Sequence, residues 1–293
     1  PIEYMVATIN NGGGFYKAEF YFHEAKQCGA KIEPPCVNEG ELTTIVKSKN
    51  RIIIGMERIS GIDIKLCRII EDERKKNGIY NSLDHFINRL KNKTRNLTLD
   101  SLLLLIKSEA FRFTKRPKRD ILWDAYHQIR HQKEDESTLL IFENSPKSLI
   151  LPKLENTELD DLYDQEELFG FSLRHPFRLF TGWQGKKSTP VKNWKAYIDN
   201  PIQTIGYVIT VKRNETEKGE LMQFGTFLEI GGEIFETVHF PNPVRNNMVR
   251  RNGVHLLHGY VRNDYDCLTL EVFHCSYCQR RPDSRYVDIR SVS

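Results

Sequence analysis

The hydrophobic period changes once along this chain, and the change limits what each part can fold into. Between residues 51 and 133 apolar side chains recur every three or four positions, whereas beyond Pro190 they alternate every second position. A period near 3.6 lines one face of a helix and a period of two lines one face of a strand. Leu66, Ile69 and Ile70 fall on one face of a helix expected over residues 64–76, and Asn77-Gly78 ends it. Ser82 caps a second helix reaching Leu90, Thr98 or Asp100 starts a third reaching Ala110, and residues 118–131 form a fourth. Alternation gives five strand candidates: residues 202–213, 221–230, 233–240, 254–262 and 267–274.

The flanking segments are less regular. Residues 20–27 can form a helix stopped by Gly29, Asn10-Asn11-Gly12-Gly13-Gly14 breaks regular structure, and Pro34-Pro35 forbids it. Residues 51–54 are a short β-like run. Residues 134–165 are acidic, are interrupted by Pro146 and Pro152, and read as a connector with little core of its own. Five strands with a break over residues 241–251, between the third and the fourth, follow the plan of an OB-fold barrel. The expected class is α+β and multidomain: residues 1–50, a helical module over 51–133, an acidic connector over 134–180, and a five-stranded OB-fold β-barrel over 181–293.

Net charge is +4, but its distribution says more: −1 over residues 1–50, +9 over 51–133, −7 over 134–180 and +3 over 181–293. A concentrated basic segment is the footprint expected of a protein that meets a phosphate backbone. A solvated helical surface carries Lys and Arg as well, and both readings stand open. The longest apolar run, Leu102 to Ile106, is far short of the ~20 residues a membrane helix needs. Six scattered cysteines do not make a disulfide framework, so reduced thiols and a cytoplasmic location are expected. A start at Pro1 suggests an excised or processed chain.

Three segments could carry function. Residues 55–63 place Gly61 in a turn just before a helix, the pattern of a helix–hairpin–helix, in which backbone N–H groups and a helix start meet a DNA phosphate. Arg58, Ser60, Gly61, Ile62 and Lys65 are its candidate DNA contacts. Asp63 stands where a second glycine is usual, and an ordinary packing corner is the rival reading. In the alternating region Met222, Phe224, Thr226 and Leu228 share one strand face, and Gln223, Phe227 and Glu229 the other. Phe227, Phe235 and His239 are candidate stacking surfaces for single strands, with Lys212, Arg213 and Lys218 as phosphate contacts. Ordinary barrel packing is the rival here. His274-Cys275-Ser276-Tyr277-Cys278 could be read as part of a zinc site or a metal hydrolase, but it lacks the four placed ligands that zinc needs, and no metal site is expected. The nine histidines are dispersed, and adjacent carboxylates such as Asp160-Asp161 do not face one site, so no catalytic residue is expected.

Taken in order, several pieces resemble one family. Pro1-Ile2-Glu3-Tyr4-Met5 with Asn10 to Tyr16, Glu24-Ala25-Lys26 with Gly29, and residues 32–38 resemble the end of the fingers region of bacterial C-family DNA polymerases, the DNA polymerase III alpha subunits. Residues 55–63, residues 102–111, Glu166 to Phe171 with Leu173, His175 and Pro176, and then Lys218-Gly219, Met222, Phe224 and Phe240-Pro241 continue the match in the family's order. The likeness is closest to the short or error-prone branch. It implies the C-terminal part of a DNA-directed DNA polymerase, a nucleotidyltransferase of DNA replication or translesion synthesis. The catalytic aspartates and their Mg²⁺ would lie in a palm outside this chain, which is expected to be inactive alone and to hold no cofactor. The implied partners are duplex DNA, single-stranded DNA, the rest of the polymerase and a sliding clamp, with no membrane. The family's clamp peptide would correspond to Thr138, Leu139, Leu140, Ile141 and Phe142, with Thr138 in place of a glutamine. A short apolar strand is the rival reading of those five residues. A free-standing nucleic-acid-binding or repair scaffold is the alternative for the whole chain.

Overall fold

A computed structural model describes residues 1–135, 157–241, 247–264, 267–283 and 285. In chain order the helices are α1 (Ile2–Asn10), α2 (Ala18–Gln27), α3 (Ile64–Asn77), α4 (Leu83–Leu90), α5 (Leu99–Lys107), α6 (Lys118–Asp135) and α7 (Glu158–Phe169). The strands are β1 (Lys31–Glu33), β2 (Ile45–Ser48), β3 (Arg51–Ile53), β4 (Pro201–Glu215), β5 (Leu221–Glu229), β6 (Ile234–His239), β7 (Val254–Asp264) and β8 (Cys267–Tyr277). The chain forms two compact units. One holds Ile2 and residues 30–173; the other holds residues 1, 3–29 and 174–293.

In the first unit, α3 to α6 start where the sequence places them. Asp63 caps α3 by accepting the Lys65 N–H at 2.7 Å, and Ser82 caps α4 by accepting the His85 N–H at 3.0 Å. Thr98 and Ser101 form a reciprocal capping box on α5. Leu66, Cys67 and Ile70 of α3, Phe86 and Leu90 of α4, and Leu102, Leu105 and Ile106 of α5 close on one core with Phe111. Burying each such side chain contributes about 1.5–3 kcal/mol. A three-stranded sheet of order β1-β3-β2, with β1 parallel and β2 antiparallel to β3, lies in the same unit.

The acidic connector needs correction. Its last part is helix α7, with Leu162, Tyr163 and Leu168 buried and Leu168 in the helical core. Its carboxylates meet cations of α6: Lys118 pairs with Asp161 at 2.6 Å and with Asp164, and Arg119 with Asp160 at 3.0 Å. Acidity suggested solvation because the sequence did not show which cations would face it.

The second unit contains a closed five-stranded barrel of order β4-β5-β6-β8-β7. β6 and β8 are parallel and every other pair is antiparallel. This is the OB-fold expected from the alternation. The 15-residue β4 pairs with β7 through its first half and β5 through its second, with a register shift between Val208 and Thr210. Such a shift bends a strand and lets the sheet close. Trp194 is fully buried among the core residues of the barrel, 5.1 Å from Phe235, its indole N–H donating to the Thr189 carbonyl at 3.1 Å.

Candidate nucleic-acid interface

In the helical unit, a 3-10 turn at Met56–Arg58 leads through Gly61 into α3. Gly61 has φ +79°, a conformation that favours glycine. Two of the hairpin's backbone donors are in use. The Ser60 N–H donates to the Leu168 carbonyl at 2.8 Å, and the Ile62 N–H to the Ile59 carbonyl at 3.2 Å. Asp63 Oδ1 takes the Lys65 N–H at the helix start, where a phosphate would dock. The Ser60 and Ile62 backbone N–H groups and the Lys65 N–H are thus already bonded within the protein. Arg58 is half-buried and burial lowers its pKa, while the Lys65 side chain is exposed.

A second hairpin, missed in the sequence, joins α4 to α5. Asn96 there donates to Asp63 Oδ2 at 2.5 Å, so the two turns lie side by side. Lys91 and Arg95 on this turn are exposed and have no ion pair or hydrogen bond of their side chains among the described residues. Other cations of the basic segment are engaged. Arg51 bonds Glu33 at 2.8 Å and Glu39 at 2.6 Å, Arg89 bonds Glu73 at 3.1 Å, and Lys93 also pairs with Glu73. Arg51 holds the Glu33 carboxyl down at about 2, and Lys93 does the same to Glu73, also at about 2. Arg74 donates to the Val37 and Gly40 carbonyls at 3.0 and 2.5 Å. Lys65 and Arg68, three residues apart on α3, are exposed like Lys91 and Arg95.

In the barrel unit the candidate stacking residues are inside. Phe227 and His239 are fully buried and Phe235 is 3 % exposed, with the two phenyl rings stacked at 5.5 Å. His239 Nδ1 donates to the Asn247 carbonyl at 2.5 Å, its Nε2 meets the Thr237 hydroxyl at 2.8 Å, and burial lowers its pKa. These three cannot stack on a strand outside the barrel, and the expectation is corrected: they pack its core.

The opposite face of the same strands looks outward. Lys212, Phe224 and Val238 stand side by side in register on β4, β5 and β6. Phe224 is exposed, and so is Phe15 from the glycine-rich turn before α2. Lys212 Nζ lies 2.7 Å from the centroid of the Phe15 ring, and Tyr16 stacks on Phe20 at 4.1 Å. Burial, then the charge of Glu236, raises the Tyr16 pKa. Arg213 and Lys218 are exposed toward the end of this arm, where Gly219 closes the β4–β5 turn with its N–H on the Thr216 carbonyl at 2.8 Å. Two exposed aromatic rings beside cations make a surface for stacking bases and holding phosphates. Phe15 and Phe224 are the members of it that the sequence reading did not select.

Thr138, Leu139, Leu140, Ile141 and Phe142 lie outside the described residues. Cys275 and Cys278 are buried and form no disulfide, burial raising Cys275 to about 12, and among the described residues no cluster of three or more His, Cys, Asp or Glu side chains could hold a metal ion. No described helix is long and apolar enough to cross a membrane.

Comparison with known proteins shows what this chain is similar to. The helix–hairpin–helix motif family matches residues 29–121. DNA polymerase III subunit alpha of Aquifex aeolicus is 26% identical over 270 residues, covering 91% of this chain and 22% of the relative. The subunits of the same name from Treponema pallidum and Staphylococcus aureus Mu50 are 25% and 27% identical, over 82% and 87% of this chain. The chain spans less than a quarter of the length of these relatives. Among solved structures, the second OB-fold domain of replication protein A from Methanococcus maripaludis matches at 12% identity and a TM-score of 0.22, covering 29% of this chain and 91% of that one. The assignment of the barrel here rests on its own strand order.

Proposed function

We propose that this chain is the noncatalytic, DNA-holding part of a bacterial replicative or translesion polymerase of the DNA polymerase III alpha type. The observation that carries the reading is the similarity to that subunit across 91% of the chain. The helical unit grips duplex through the α4–α5 turn, with Lys91 and Arg95 on phosphates and Lys65 and Arg68 beside them. Such contacts position a duplex and read no sequence. The barrel takes single-stranded DNA on its outer face, with Phe224 and Phe15 under bases and Lys212, Arg213 and Lys218 on phosphates. Thr138 to Phe142 engage a sliding clamp, with Ile141 and Phe142 as apolar anchors. Catalysis and its Mg²⁺ belong to the rest of the polymerase.

Duplex binding measured against salt tests the grip. The chain should show a steep fall of log K with log salt, and Lys91→Gln with Arg95→Gln should lower the slope by about two. A flat dependence in the unaltered chain would exclude the duplex grip. An unchanged slope in the double variant would move the contact away from the α4–α5 turn. Clamp affinity that survives Ile141→Ala with Phe142→Ala would exclude that peptide.

A further inference from the structure

The segment before β7, the start of β7 and the end of β8 border an open cavity of about 140 Å³, lined by Met248, Arg250, Arg251, His255, Cys275 and Tyr277. None of these belongs to the outer face built around Lys212 and Phe224. We propose that this cavity is a second nucleotide site, taking a pyrimidine ring against Tyr277 and its phosphate on Arg250 and Arg251.

The size suits one ring. A volume of about 150 Å³ holds a benzene molecule, so the cavity seats one six-membered ring against Tyr277, and the second ring of a purine would extend toward solvent. The aromatic wall is held in place before any ligand arrives. Tyr277 meets Phe180 edge-on at 6.1 Å and His255 at 5.4 Å, so its ring is fixed by two neighbours. Gly253 has φ +131°, and a side chain there would run into Phe180 at 2.5 Å and Tyr277 at 3.1 Å. Glycine at this position is what lets the three rings close up.

The polar groups fit a nucleotide. Arg250 and Arg251 are exposed and have no hydrogen bond or ion pair to a carboxylate among the described residues. The Arg251 guanidinium lies 5.6 Å from the Tyr277 ring centroid, so a cation borders the stacking surface. Guanidinium groups bind phosphate with matched, bidentate geometry. His255 Nδ1 donates to the Gly253 carbonyl at 3.2 Å, and burial lowers its pKa to about 4. The imidazole is therefore neutral, and its other nitrogen is an acceptor. Thymine N3–H and the cytosine amino group are donors that such an acceptor can read. Cys275, a buried neutral thiol, and Met248 supply the apolar remainder.

The proposal goes beyond the outer-face reading and rests on it only in treating the nucleotide as part of a strand. The test uses the whole chain with oligothymidylate, oligoadenylate, thymidine 5′-monophosphate and inorganic phosphate. Oligothymidylate should bind more tightly than oligoadenylate. Arg250→Gln with Arg251→Gln should weaken oligothymidylate about tenfold, remove the preference and leave duplex affinity unchanged. Because both arginines are exposed, the double variant should keep its melting temperature. Photocrosslinking with 5-iodouracil in the strand should label Tyr277. Oligonucleotide binding that is indifferent to the double variant, or labelling confined to Phe15 and Phe224, would overturn the cavity site and leave the outer-face reading intact. Binding of thymidine 5′-monophosphate with no oligonucleotide binding would overturn the outer-face reading and sustain the cavity. Phosphate competing as well as the nucleotide would remove the base from the proposal and so overturn it, as would binding of neither nucleotide nor strand.

Discussion

In the helical unit Glu73 draws in Arg89, Lys93 and Asn77, while Asp160, Asp161 and Asp164 hold Arg119 and Lys118. In the barrel unit Arg213, Lys218, Arg250 and Arg251 have no carboxylate partner among the described residues. The segment with the larger net charge, +9 over residues 51–133, thus uses much of it internally. The barrel segment, at +3, leaves a larger share of its cations facing solvent among the described residues. Net charge sums cations without regard to partners, whereas a phosphate meets only those left open. Buried pairs hold a fold in register; open cations set affinity and its salt dependence.

The sharpest way to break this contrast is at the barrel centre. Phe227→Ala should cost about 3–5 kcal/mol by leaving a cavity in a packed core, seen as a lowered denaturant midpoint. Single-strand affinity lost with stability intact would return Phe227 to the binding surface. Next comes the helical unit's internal network. Glu73→Ala should cost about 3 kcal/mol, because it strands the buried end of Arg89 without its carboxylate. The wild-type contribution has a defined pH window. The folded Glu73 carboxyl sits at about 2, below its ordinary value of 4.5, so its stabilisation is complete above about 4.5 and fades as pH falls toward 2. The Ala variant should show a shallower acid destabilisation over that window, and an unchanged acid profile would show that Glu73 is not held by its cations. Smallest is Asp63→Asn. Asparagine caps as well as aspartate, so melting should change little, at most about 0.5 kcal/mol. Removing the negative charge beside the hairpin should tighten duplex binding about twofold. A larger gain would show that the Gly61 turn is itself a phosphate site.

The helices were legible because caps are local: Ser82 and Thr98 each bond a backbone N–H three residues on. The five strands were legible for a similar reason, since alternation is a property of neighbouring residues. What alternation does not carry is which face turns inward. It separated Phe224 from Phe227, but closure of the barrel decides that Phe227 is buried and Phe224 exposed. The α4–α5 turn escaped notice because it lacks a glycine to mark it, and its position beside Asp63 depends on a bond across 33 residues. The open cations were equally hidden, because an ion pair such as Lys118 with Asp161 joins residues far apart in the chain.

The hydrogen bond from Ser60 to Leu168 joins residues more than a hundred positions apart. It makes the Gly61 turn the receiving surface for the end of α7, and α7 follows the rest of its unit only after residues 136–156. A contact between residues so far apart in sequence forms slowly compared with the local helices. A ribosome would therefore release the α3 to α6 helices as a partly assembled body, with the Ser60 amide unanswered, until α7 emerged. Cutting the chain within 136–156 would turn the same docking into an encounter between two molecules, dependent on concentration. The hairpin is in that sense completed late, by a helix that the chain delivers from downstream.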